Sequence, residues 1–189
     1  PPLTNEDGIY TNAVFGFLSM LLKVVGDVKP EYLAVAFDLH GPTFRHADYE
    51  AYKAGRKPTA PELRPQFDLV YECLEAMGVK KLTCPTFEAD DILGTIARRC
   101  EEAGISALLV TGDRDSMQLV SQTSHVLYTK RGVSDVVRYT PEKVLEDFGV
   151  RPDQIPDLKG LMGDASDNIP GVPGVGEKTA LKLIGQYGS

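Results

Sequence analysis

The sequence predicts an α/β fold with a mostly parallel sheet, followed by a small helical subdomain. Two near-continuous apolar runs, YLAVAF at 32–37 and ALLVT at 107–111, are short and bounded by Asp or Gly, as strands buried on both faces are. Amphipathic helical stretches alternate with such runs, which calls for βαβ units. Beyond about Tyr139 only helical stretches and a loop rich in Gly and Pro remain. The expected division is 1–138 for the sheet domain and 139–189 for the helical subdomain.

A first helix is expected from about Thr11, with Val14, Phe17, Leu18, Leu21, Leu22 and Val25 at helical spacing and residues 27–30 (DVKP) ending it. The strand at 32–37 ends at Asp38, and a loop rich in Gly, Pro and basic residues fills 40–61. A helix over 62–77 closes at Gly78, a short strand occupies 79–84, and a helix over 87–103 stops at Gly104. The strand at 107–111 leads into a short helix reaching Val120 and a further strand near 125–129. Helices at 141–148 and 153–162, the loop 163–176 and a helix over 177–187 complete the chain. The first segment reads as a turn rather than a sheet-opening strand, so the chain is expected to be a piece of a longer protein.

At 189 residues, with 42% hydrophobic and 25% charged residues, the chain can bury a substantial core, which excludes wholesale disorder. The longest apolar stretch, 13–22, is interrupted by Gly16 and Ser19 and falls short of the ~20 residues of a membrane span. No Lys or Arg precedes it, so a secretory leader is not expected. Cys73, Cys84 and Cys100 lack C-x-x-C or metal spacing and read as reduced, small buried apolar side chains in a cytoplasm.

Four acidic groups stand where chemistry gathers in such folds, at strand ends and helix starts. They are Asp38; Glu88, Asp90 and Asp91 in FEADD; Asp113 and Asp115 in TGDRD; and Asp164 and Asp167 in MGDASDN. Each alone also reads as a helix cap or a dipole partner. Two carboxylates about 4 Å apart repel by roughly 4 kcal/mol at an effective dielectric of ~20, so eight in one cleft require cations among them. Hard ions with oxygen ligands, Mg²⁺ or Mn²⁺, fit this donor set, and two ions about 4 Å apart suit phosphodiester hydrolysis. His40, His46 and His125 have no ligand spacing and read as surface or structural groups. The net charge is −7, but setting these eight aside from the 27 acids leaves 19 against 20 Lys and Arg, so the remaining surface is compatible with phosphate.

The segment GPTFRHADYEAYKAGRKPTAP interleaves Phe44, Tyr49 and Tyr52 with Arg45, Lys53, Arg56 and Lys57, offering phosphate contacts and stacking faces. Tyr49, Lys53 and Arg56 fall at i, i+4 and i+7, the spacing of one helical face. GVPGVGEKT is not a P-loop, because Glu177 separates Gly176 from Lys178 and no strand precedes it. It fits a hairpin between helices, with Gly171, Gly174, Gly176 and Lys178 presenting amides and charge to a backbone phosphate.

Together FD, GPTFRH, YKAGR, FEADD, TGDRD and LMGDASDNIPGVPGVGEKTA, in this order, resemble the 5′ nuclease (5′-3′ exonuclease) domains of bacterial DNA polymerase I, within the flap endonuclease family. The resemblance spans essentially the whole chain. It implies a PIN-like nuclease domain followed by a helix-3-turn-helix subdomain of the helix-hairpin-helix type. It further implies that the eight acids form a two-metal cluster, that Lys53 and Arg56 belong to an arch over a single-stranded 5′ end and act on the scissile phosphate, and that the hairpin carries a monovalent cation such as K⁺. The family opens with a strand whose Asp is a further metal ligand, matching nothing in this sequence. The expected function is a structure-specific exonuclease or flap endonuclease of replication and repair, acting on branched or nicked duplexes, as a monomer, in the bacterial cytoplasm near the nucleoid, with a polymerase region in the parent chain. Two alternatives stay open from the residues: a non-catalytic DNA-binding fragment, and a phosphatase of the haloacid dehalogenase type suggested by Asp113-x-Asp115.

Overall fold

The computed structural model describes residues 3–131 and 135–189. Its first helix, α1 (Asn12–Val28), buries Val14, Leu21 and Val24 in one stripe. Thr11 offers this helix no side-chain cap, so the amide of Ala13 donates instead to Oε1 of the buried Gln66 (2.8 Å), on α3 (Arg64–Ala76). Gln66 Nε2 in turn donates to the Glu62 carbonyl (2.8 Å), which leaves both ends of this buried amide satisfied. Val14, Leu21, Val70 and Leu74 form a core cluster with Leu33, Val35 and Phe37 against it.

β1 (Ala34–Ala36) pairs in parallel with β2 (Lys80–Leu82), and β3 (Ala107–Thr111) pairs in parallel with β4 (Ser124–Arg131). β5 (Asp135–Tyr139) returns antiparallel to β4. α4 (Ala89–Glu102) follows β2 and contacts both β1 and β3. The α/β class and parallel pairing agree with the sequence reading, with three differences. Among the described residues the strands form two sheets, of two and three strands, rather than one. β5 was not foreseen, because DVVRY has polar ends and gains strand character only by pairing with β4. α2 (Phe44–Asp48) interrupts the expected loop, started by Thr43, whose amide donates to His46 Nδ1 (3.1 Å).

The helical part packs directly on the larger sheet. α5 (Pro141–Phe148) starts at Thr140, whose hydroxyl accepts from the Lys143 amide, and stops at Gly149 in the left-handed region (φ 72°). With α6 (Ile155–Met162) and α7 (Glu177–Tyr187) it supplies Val144, Ile155, Leu158, Ala180 and Ile184 to a core that also holds Leu109, Met117, Val126 and Tyr139. Among the described residues no helix is long and apolar enough to cross a membrane.

Between α6 and α7 the chain folds back on itself. Asp164 and Ile169 exchange two backbone hydrogen bonds of 2.8 Å, and Val172 donates to the Leu161 carbonyl (2.8 Å). This brings Gly171 so close to Met162 and Gly163 that a Cβ on Gly171 would collide with their backbone, whereas one on Gly176 would meet open space. Gly171→Ala is therefore expected to destabilise the chain by about 3 kcal/mol, a fall of roughly 6–12 °C in thermal midpoint, against little change for Gly176→Ala. Calorimetry of the two variants checks this.

Candidate functional site

Asp38 follows β1 and reaches across to α4, where its Oδ1 accepts from the Ala89 amide (2.6 Å). Glu88 is the N-cap of α4, and its own amide donates to Asp91 Oδ2 (2.8 Å). Asp113 caps a 3₁₀ turn, residues Arg114–Leu119, by accepting from the Asp115 amide (2.9 Å). Capping thus fixes these carboxylates at the starts of α4 and of the 3₁₀ turn. Asp90 records the crowding: burial first, then the charges of Asp113, Asp38 and Glu88, push its carboxyl up to about 6.

Basic side chains meet part of this charge. Arg45 grips Asp91 with two hydrogen bonds (2.7 and 2.8 Å), which holds that carboxyl below the usual range. Lys53 Nζ lies 2.8 Å from both oxygens of Glu88, and Arg56 Nη2 lies 2.6 Å from Asp167 Oδ1. The Tyr52 hydroxyl donates at 3.1 Å to Glu88 and to Asp167, bridging the two. Burial and these two carboxylates push the phenol upward, so Tyr52, only 5% exposed, stays a donor. Lys159 on α6 stands 2.7 Å from Asp115 and 2.8 Å from Asp164, and Asp164 also accepts from the Ser166 amide (2.8 Å) and hydroxyl (2.6 Å). Burial opposes the charge of Asp164, but Lys159 and Ser166 outweigh it and hold its carboxyl well below the usual range. Burial raises the carboxyl of Asp115 despite Lys159.

All eight sequence-predicted acids therefore belong to one linked network, in which Asp38, Asp90 and Asp113 have no basic partner within ion-pair distance among the described residues. Clefts of 470 Å³ and 320 Å³ flank it and share Asp115. Among the described residues no three carboxylate, imidazole or thiol side chains are gathered around a single point as metal ligands. The donors are nonetheless all hard oxygens, and the mutual repulsion felt by Asp90 fits a divalent cation.

The expectation that Tyr49, Lys53 and Arg56 share a helical face does not hold. α2 ends before Tyr49, and Lys53 adopts a left-handed backbone (φ 56°). The residues converge by another route: the Lys53 amide donates to the Asp167 carbonyl (2.9 Å), Asn168 Nδ2 donates to the Ala51 carbonyl (2.8 Å), and the Tyr49 hydroxyl donates to the Asn168 carbonyl (3.2 Å). The basic turn is thus latched to the loop that carries Asp167. His46 serves as a cap and His125 Nδ1 accepts from Arg138 (3.0 Å), both structural roles as expected, and the three cysteines are unpaired and partly exposed. Gly171, Gly174, Gly176 and Lys178 form a separate feature: Gly174 takes φ 80°, and Gly176 starts α7 without a side-chain cap. Lys159, Ser166 and Asn168 were missed, since nothing in their spacing distinguishes them from surface polar residues.

The chain matches two family models end to end: "5′-3′ exonuclease, N-terminal resolvase-like domain" over residues 1–149, and "5′-3′ exonuclease, C-terminal SAM fold" over 150–189. It is 51% identical over its whole length to DNA polymerase I of Bacillus caldotenax and 48% to that of Bacillus subtilis (strain 168), and spans 22% of the length of each. Among solved structures it resembles the T5 D15 protein co-crystallised with metal ions (TM-score 0.78, 22% identity, 92% of this chain and 68% of that one). It also resembles the catalytic core of Rad2 in complex with DNA substrate (TM-score 0.58, 18% identity, 93% of this chain and 53% of that one). At these identities the structural likeness establishes the fold.

Because the carboxyl of Asp90 binds its proton more tightly in the folded chain (about 6) than in the unfolded one (roughly 4), stability falls as pH rises through that window and the penalty is complete above it. In EDTA at pH 7.5, Asp90→Asn is expected to raise the thermal midpoint by roughly 2–4 °C, allowing for solvent screening, and by little at pH 4. Melting curves at the two pH values test the sign.

Proposed function

The chain belongs to the 5′-3′ exonuclease family, and on that premise we propose that it is a metal-dependent 5′ nuclease that hydrolyses DNA and RNA-primer phosphodiesters at branched or nicked duplexes with a single-stranded 5′ end. The observation that carries this reading is the single network of eight acids, three of them without a basic partner among the described residues, latched to a turn bearing Tyr52, Lys53 and Arg56. Two Mg²⁺ or Mn²⁺ ions are proposed, held by Asp38, Glu88, Asp90, Asp91 and Asp113 on one side and Asp115, Asp164 and Asp167 on the other. Bound there, such ions supply the charge that activates a water and stabilises the leaving oxygen.

The remaining roles belong to the chain. Lys53 and Arg56, whose present partners Glu88 and Asp167 would then share their charge with cations, turn to the non-bridging oxygens of the scissile phosphate. Tyr52 keeps Glu88 and Asp167 at a fixed separation through its hydroxyl. Arg45 pins Asp91 by a two-point contact and extends the basic path toward the single strand. The open amides at the start of α7, with Lys178 and a K⁺ ion at the Gly171–Gly176 hairpin, hold the duplex by its backbone, so recognition is of shape rather than bases. We assign residues 1–138 to the nuclease unit and 139–189 to the duplex-gripping unit, in a monomeric bacterial cytoplasmic protein acting near the nucleoid with a polymerase region in the parent chain. The family match stands against the dehalogenase-type alternative. A DNA-binding role without cleavage is the second reading, favoured by the lack of three ready-gathered metal ligands among the described residues.

A labelled 5′-flap substrate separates the two. Cleavage is expected with Mg²⁺ or Mn²⁺ and none with EDTA. Asp113→Asn should abolish cleavage while duplex binding survives, and Lys53→Ala should lower kcat by about 10²–10³-fold. Binding by the unaltered chain without cleavage in Mn²⁺ selects the second reading, and cleavage unchanged by Asp113→Asn rejects the site assignment.

A further inference from the structure

The acid network is lopsided. Asp38, Asp90 and Asp113 are bare of basic partners among the described residues, whereas Asp115 and Asp164 already share a cation of the chain's own, the Lys159 ammonium at 2.7 and 2.8 Å. Lys159 lines the 470 Å³ cleft together with Asp113, Asp115 and Ser166, so it stands inside the site rather than behind it. It is fixed there from both sides. Its backbone carbonyl accepts from the Gly163 amide (2.7 Å) at the end of α6, and Asp164 is held in place by the Ser166 amide and hydroxyl.

We infer that the Lys159 ammonium occupies the position of the second cation, so that the site takes a first divalent ion at its bare half and a second only by displacing Lys159. This rests on the reading of the acid network as a cation site given above. The physical ground is competition. An ammonium bridging Asp115 Oδ1 and Asp164 Oδ2 neutralises the charge and fills the space that a hard ion would use, so that ion's binding must include the displacement of Lys159. On the other side Lys53 and Arg45 engage Glu88 and Asp91, but Asp38, Asp90 and Asp113 have no ion-pair partner among the described residues, so a first ion meets three carboxylates that no side-chain cation bridges. Lys159 is thus a positioning residue that sets the order and the relative affinity of the two ions.

The test is a Mn²⁺ titration of the full chain without DNA, following free Mn²⁺ by electron paramagnetic resonance. The unaltered chain is expected to bind one ion tightly and a second weakly. Lys159→Met should tighten the second ion by about tenfold, the scale of losing two partly buried ion pairs, while Lys159→Arg stays near the unaltered value. Free of metal, the Lys159→Met chain should also melt lower, and Mn²⁺ should restore it. If Lys159→Met does not fold, Lys159→Gln serves with the same expectation. Second-ion affinity that is unchanged or weaker in these variants overturns the inference on Lys159 alone. No Mn²⁺ bound by the unaltered chain overturns both it and the cation-site reading.

Discussion

Mutual repulsion among carboxylates is the constraint on which the rest of this molecule is arranged. Eight acids from four separated stretches of chain form one linked network, and the carboxyl of Asp90 is pushed upward first by burial and then by the charges of Asp113, Asp38 and Glu88. Folding tolerates the arrangement by two means. Backbone amides at helix starts take some of the charge, as Ala89 does for Asp38, and basic side chains from distant segments take more, as Arg45, Lys53, Arg56 and Lys159 do. Asp38, Asp90 and Asp113 are left without such partners among the described residues.

The same constraint explains features that otherwise look incidental. Lys53 and Asn168 both adopt left-handed backbones (φ 56° and 58°), a conformation that costs a non-glycine residue on the order of 1 kcal/mol or more. Both lie at the latch between the basic turn and the loop of Asp167, where backbone and side-chain hydrogen bonds hold them. Part of the left-handed non-glycine backbone of the chain, with Lys29 and Thr86 elsewhere, thus lies where two segments with opposite charge are held together. The collision-limited approach of Gly171 to Gly163 does the same for Asp164, whose loop is closed by that contact.

How much of this was legible in the sequence depended on the range of the interaction responsible. The strand at 107–111 and the helices at 141–148 and 177–187 were placed to the residue, because local periodicity and the caps Thr140 and Gly149 specify them. The eight acids were legible because strand ends and helix starts are where a parallel α/β fold gathers them. β5 was not, because a five-residue segment holding Asp135 and Arg138 becomes a strand only through β4. The division into two sheets was likewise invisible, since pairing partners are a tertiary matter. The basic turn meets the acid network through a left-handed Lys53 and a backbone bond to Asp167, not through the helical face expected for Tyr49, Lys53 and Arg56. Lys159 left no trace, because a lysine five residues before an aspartate has no spacing signature.

The most direct test of the central claim is crystallographic: anomalous scattering from a crystal of this chain soaked in Mn²⁺. The account predicts a peak within ~2–2.5 Å of carboxylate oxygens of Asp90 and Asp113. An empty anomalous map around those oxygens, or a peak coordinated only by acids elsewhere on the surface, contradicts it.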